Sequence, residues 1–148
     1  MFAPKSILVP TDFSEYSDKA IRQAADIAEQ NSAKLFLIHV VTWPEEWANY
    51  TISISGEKIQ TIVDESVKAA TKRMHEEVEK LKQVKKIEIT YDVKVGVPYQ
   101  QILKEQTERK VDLIVLGSHG RTSIVRALIG SVANQIVHDA TCPVLIVR

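Results

Sequence analysis

Apolar residues follow two rhythms along this chain. Ser6–Val9, Lys34–Val41, Val111–Leu116 and Pro143–Val147 are short, nearly continuous apolar runs, the pattern of strands buried on both faces. Between them the apolar positions recur every three to four residues. Ala20, Ile21, Ala24, Ile27 and Ala28 make one stripe, and Ile59, Val63, Val67, Ala70, Met74, Val78 and Leu81 make another, as amphipathic helices require. The first helix is predicted to start at Ser14-Glu15 and to close at Asn31. The second is predicted over Glu57–Gln83, with Glu76, Glu77, Glu79, Lys80 and Lys82 on a solvated face.

Ile87–Val95 behaves differently. Ile87, Ile89, Tyr91, Val93 and Val95 alternate with Glu88, Thr90, Asp92 and Lys94, which predicts a strand with one partly wet face near a sheet edge. Gly96-Val97-Pro98 then turns into a helix carrying Ile102 and Leu103. Ser131 is expected to N-cap a last helix that buries Val132, Ile136 and Val137. Strands alternating with helices in this way predict an α/β fold of one domain, residues 1–148: a doubly wound parallel five-stranded sheet, order 3-2-1-4-5, with helices on both faces and right-handed crossovers. That order sets strands 1 and 4 side by side with diverging connections. Ligands of such sheets bind in the crevice beyond the strands' carboxyl ends. Pro10-Thr11-Asp12 and Gly117–Arg121 flank it.

Composition narrows the partners. A chain of 148 residues, 45% apolar and 26% charged, is an ordinary globular chain with room for a substantial core. Its 19 basic and 19 acidic residues cancel, so no overall field draws it to nucleic acid or an anionic membrane, and neither is expected as a partner. The single Cys142 forms no intrachain disulfide and reads as a small buried hydrophobe. No apolar run reaches membrane-span length, and Met1–Pro4 lacks signal-peptide character, which points to the cytoplasm.

The candidate chemistry is concentrated in Leu116-Gly117-Ser118-His119-Gly120-Arg121-Thr122, answered by Ile129-Gly130-Ser131-Val132. The pattern is G-x-x-G-x9-G-S. Glycines let backbone N–H groups come close to a ligand, and a helix opening at Gly130-Ser131 offers unpaired N–H groups to an anion. Together they read as a phosphate cradle. Glycine turns also end strands in proteins that bind nothing, so the spacing matters more than the glycines alone. No Lys follows Gly130, which removes a Walker A loop, and Gly117-Ser118-His119-Gly120 does not fit the nucleophile elbow.

Several residues carry two readings. Thr11 and Asp12 serve either a ligand or the cap of the first helix. Arg121 serves either phosphate or the surface. His119 reads as an exposed loop residue rather than a metal ligand, for want of a companion at ligand spacing, and His39 as a satisfied core histidine. Trp43, Pro44, Trp47 and Tyr50, within Thr42–Gly56, either cap the core beneath a long connection or form a lid or partner surface.

The signature G-S-H-G-R-T followed by G-S resembles the nucleotide-binding motif of the universal stress protein family. Ile7-Leu8-Val9-Pro10-Thr11-Asp12-Phe13-Ser14 and Cys142-Pro143-Val144-Leu145-Ile146-Val147 are similar to that family's first and last strands. The resemblance implies an adenine nucleotide, most often ATP, together with Mg²⁺ held mostly by phosphates and water. It implies Pro10, Thr11 and Asp12 beside adenine and ribose and Val40 against the base. Gly117, Gly120, Gly130, Ser131 and Val132 would meet ribose and phosphate, with Ser118, His119 and Arg121 in the same turn. It further implies a homodimer through the Pro143–Val147 edge strand. The expected function is a dimeric, nucleotide-dependent regulatory switch in the stress response, with an unnamed protein partner. The alternative is a slow ATPase or phosphotransferase using the same pocket, disfavoured by the missing Walker lysine and the want of an oriented base.

Overall fold

The computed structural model describes residues 1–43, 56–120 and 129–148. Pro44, Trp47 and Tyr50 of the aromatic connection, and Arg121, lie outside the described residues. In chain order the elements are β1 (Ser6–Pro10), α1 (Glu15–Asn31), β2 (Lys34–Val41), α2 (Gly56–Val84), β3 (Glu88–Val95), α3 (Pro98–Glu108), β4 (Leu113–Gly117), α4 (Ser131–Asp139) and β5 (Val144–Val147). The sheet order is β3-β2-β1-β4-β5 and each pairing is parallel, as the alternation of patterns predicts.

Alternate residues of each strand divide the core into two layers. Ile7 and Val9 of β1 and Leu35 and Leu37 of β2 face α1 and α2, where Ile21, Ala24, Met74 and Val78 meet them. Leu8 and Ile38 point the other way, with Ile114 and Leu116 of β4, toward Ile102 of α3 and Ala133 and Ile136 of α4. Central strands apolar at consecutive positions are the sequence's consequence of being covered twice. β3, at one edge, buries Ile89 fully, while Tyr91 and Val93 are half-buried and Val95 is exposed.

The ends of the elements have local causes. Ser14 caps α1 by accepting from Ser17 N at 3.3 Å, and Ser32, in the left-handed region at φ 52°, closes it after Asn31. Pro98 opens α3, where a missing N–H costs nothing. Three expectations change. Gly130, not Ser131, is the N-cap of α4, and Ser131 is its first helical residue. Val137 is exposed and Val132 half-buried; the helix packs through Ala133, Ile136 and Ala140, a three-then-four spacing that turns Val137 about 100° away from the sheet. Cys142 is half-buried rather than buried, and burial, aided by Asp112, pushes its thiol pKa up.

Candidate functional site

β1 and β4 pair side by side, Ile7 against Leu113 and Leu8 against Ile114, and their connections leave in opposite directions, into α1 and toward α4. A cleft of about 920 Å³ opens beyond their carboxyl ends, near the upper end of the usual range for small-molecule sites. Pro10, Thr11, Asp12 and Val40 line it from one side, and Gly117, His119, Gly120, Gly130, Ser131 and Val132 from the other. Ten of the sequence-predicted residues thus share one cavity.

Ser118 does not line the cleft; it is 2% exposed. Its N–H donates to the carbonyl of Val147 at 2.9 Å, and its own carbonyl accepts from Gly130 N at 2.7 Å. It therefore ties the glycine turn to β5 and to the start of α4. Its hydroxyl lies 2.8 Å from His119 Nδ1, which gives His119 an orienting neighbour that sequence spacing did not reveal. The His119 ring also packs 5.1 Å from that of Tyr16.

The β1 side is a network of short-range bonds. Thr11 N donates to Ile38 O at 2.8 Å, extending the β1–β2 ladder by one residue. The Thr11 hydroxyl accepts from Phe13 N and donates to Ser17 Oγ, each at 3.0 Å. His39 Nδ1 donates to the Thr11 carbonyl at 2.8 Å, so this histidine is satisfied as expected, but it is half-buried on the cleft wall rather than within the core. Asp12 Oδ1 accepts from Ser14 N at 3.0 Å and from Ser17 Oγ at 3.1 Å, a capping role. Its Oδ2 faces the other wall, 3.0 Å from where a Cβ on Gly120 would stand. Both readings of Asp12 have a geometric basis, one on each carboxylate oxygen.

Opposite lies the start of α4. The first N–H groups of a helix have no intrahelical partner. Gly130, with no side chain, supplies no capping bond, and its own N–H is already spent on Ser118 O. The N–H groups of Ser131 and Val132 are thus left at the positive end of the helix dipole on the cleft wall. Such a cradle suits phosphate. Among the described residues no three His, Cys, Asp or Glu side chains are grouped to hold a metal ion. No described helix is long and apolar enough to cross a membrane.

Several lining residues escaped the sequence reading: Phe13 and Ser17 after β1, and Ser66, Ala69 and Arg73 of α2. Phe13 has φ 64°, a left-handed conformation that bulky residues rarely adopt. Ser66, Ala69 and Arg73 are three and four residues apart, so a shared flank of α2 was readable. That this flank meets the cleft depends on tertiary placement.

The chain matches the sequence model of the Universal stress protein family over residues 4–148. Universal stress protein MJ0531 of Methanocaldococcus jannaschii is 34% identical over 150 residues, covering 97% of this chain and 82% of that protein. Universal stress protein UspA from Lactobacillus plantarum superposes with a TM-score of 0.83 over 97% of each chain at 24% identity, a likeness of fold. A universal stress protein solved in complex with cAMP superposes with a TM-score of 0.65, at 26% identity over 99% of this chain and 98% of that one. With the match running through β1, the glycine turn and β5 alike, the chain belongs to the universal stress protein family.

Proposed function

We propose that this chain is a nucleotide-binding regulatory protein of the stress response that holds an adenine nucleotide, ATP foremost, in the cleft between β1 and β4. One observation carries the reading: the uncapped N-terminus of α4 faces a carboxylate, Asp12, across a single cavity. N–H groups that donate to an anion and a carboxylate that accepts from a hydroxyl or amine, lining one cavity, suit the two kinds of polar group on a nucleotide. The relative in complex with cAMP supports an adenine nucleotide as the ligand class.

In this reading Asp12 Oδ2 accepts from a ribose hydroxyl or the exocyclic amine, and Val40 meets the base. The N–H groups of Ser131 and Val132 and the Ser131 hydroxyl donate to phosphate, while Gly120 and Gly130 admit the backbone to close range. Mg²⁺, held mostly by the ligand's phosphates and water, would offset part of the phosphate charge. Backbone donors of this kind stabilise bound and reacting phosphate alike, which gives affinity without a faster chemical step. Occupancy, not turnover, then carries the signal. The second reading, slow hydrolysis in the same pocket, draws on the Ser118–His119 contact; steady phosphate release abolished in His119→Ala with ATP binding retained would establish it.

The same reading places the protein in the cytoplasm as a homodimer paired through β5. The test is direct. Denaturing the purified protein should release an adenine nucleotide identifiable by mass, and titration calorimetry should show ATP binding. A single Cβ on Gly130 would stand 3.4 Å from His119 Cα and Ser118 O; the γ-methyls of Val reach further into the cradle, so Gly130→Val should abolish ATP binding, with circular dichroism verifying the fold. Unchanged ATP affinity in that variant would remove the phosphate cradle.

A further inference from the structure

His39 and Val40 are consecutive at the carboxyl end of β2, and strand alternation sends them to opposite faces of the sheet. Val40 packs with the α3–α4 layer, while the His39 ring meets the Phe13 ring, 4.4 Å away between centres. A third layer follows, for the Arg73 guanidinium of α2 lies over Phe13, 4.4 Å from its centre. The two lower layers are fixed. His39 Nδ1 is bonded to the Thr11 carbonyl, and Phe13, at φ 64°, has its N–H bonded to Thr11 Oγ1. Left-handed backbone at a bulky residue is strained and persists where the surroundings over-determine it. Arg73 is therefore the top of a braced stack rather than a loose surface side chain.

His39, Val40, Phe13 and Arg73 all line the cleft. A flat group seated beyond the end of β2 is thus flanked by Val40 on one side and by the stack on the other. Arg73 is exposed, and Ala69, one turn earlier on the same flank of α2, offers only a methyl group beside it. The outer face of the guanidinium therefore has room for a ring. The phosphate cradle follows β4, two inter-strand steps from β2, roughly 10 Å. The stack belongs to the opposite end of any ligand that reaches the cradle.

We propose that Arg73 is a binding residue for the planar base of the ligand: the base packs on the outer face of the guanidinium and adds a fourth layer to His39, Phe13 and Arg73. This rests on nucleotide binding in the cleft as proposed above, and it names the wall that takes the base. Guanidinium planes stack on aromatic rings, and nucleobases use such planes and aromatic side chains as platforms. A contact of this kind depends on flatness more than on charge. The exposure of Arg73 keeps its contribution at the low end for such pairs.

The experiment measures ATP and adenosine affinities by calorimetry for wild type, Arg73→Gln and Arg73→Lys. In Arg73→Gln both affinities should fall by about the same factor, roughly fivefold. For ATP that factor should persist at raised salt, which screens charge but not stacking. Arg73→Lys keeps the charge and loses the plane, so its affinities should fall as far. A loss confined to ATP, or one that vanishes with salt, would put Arg73 on the phosphate chain. Affinity restored in Arg73→Lys would show that an aliphatic stem covering Phe13 suffices, and unchanged affinity in both variants would show that Arg73 does not meet the ligand. Each of these overturns the inference. A wild type that binds neither compound overturns the underlying reading instead, a separate outcome.

Discussion

A methyl group added to Gly117 would sit 2.9 Å from the backbone carbon and oxygen of Tyr16, in the first turn of α1, whereas one added to Gly130 would find nothing closer than 3.4 Å. The two glycines belong to one motif and answer to different constraints. Gly117 is small because β4 and α1 approach closely; at Gly130, on the cleft wall, an added methyl group would meet only ordinary contacts. Neither has a positive φ; among the described glycines that holds for Gly96, at φ 148°. Gly117→Ala should cost about 1–3 kcal/mol as an overpacked contact, lowering the melting temperature by roughly 2–12 °C, while Gly130→Ala leaves it near wild type. Thermal unfolding followed by circular dichroism checks both, and equal melting temperatures would show that α1 yields to the methyl group. The motif's spacing was legible in sequence. The division of labour within it was not, because steric need is set by Tyr16, a hundred residues away in the chain.

At the scale of elements, period and length sufficed where one neighbour decides a residue's fate. The stripes of α1 and α2 face the sheet as read, and β3 sits at an edge as its alternation required. Short α4 was harder, since nine residues allow more than one apolar stripe and packing against both α3 and β5 selects Ala133 and Ile136 over Val137. The wet face of β3 has a further device. Lys94 reaches Asp92 at 3.1 Å and Glu105 of α3 at 3.3 Å, and Glu105, its side chain 6% exposed, also pairs with Arg109. A nearly buried carboxylate is stable there because two cations, each about two-thirds covered, attend it. Glu105→Gln should therefore destabilise by about 1–2 kcal/mol, below the cost of a fully buried pair because both cations keep solvent. Bonding to Asp92 and then to Glu105 raises the Lys94 pKa above its ordinary 10.5. A raised lysine adds stability that is whole below that value and is lost as pH climbs through the folded pKa. Wild type should thus lose stability in alkali more steeply than Glu105→Gln, as urea midpoints on either side of pH 10.5 would show; parallel curves would leave Glu105 without a part in the Lys94 shift.

For the molecule as a whole, strand order brought Thr11–Asp12 and the glycine turn together, which is why so much of the site could be read before any coordinate: doubly wound topology dictates where the connections part. The α2 wall, with Arg73 and the strained Phe13, is a product of assembly: helical spacing groups Ser66, Ala69 and Arg73 on one flank, but nothing local says that this flank meets the cleft. Assembly of two molecules is the remaining question, and β5 frames it. In a parallel ladder a residue directs both its N–H and its carbonyl to the same neighbour, and consecutive residues alternate. The carbonyls of Pro143 and Val147 accept from Ile114 and Ser118, so Pro143, Leu145 and Val147 are turned to β4. Val144 and Ile146 are turned outward, at an edge whose four side chains are all half-buried. Such an edge invites a second strand, and antiparallel pairing with its own copy gives a closed two-fold dimer. Proline at Ile146 would remove an outward N–H while sparing the β4 ladder, the placement in which an edge strand tolerates it. Ile146→Pro should therefore leave a folded monomer, and Leu145→Lys should weaken the pair by setting charges against each other across the two-fold axis. Sedimentation equilibrium on the wild type and both variants, with circular dichroism to verify folding, gives the answer. A monomeric wild type, or an Ile146→Pro variant that still sediments as a dimer, would take β5 out of the interface.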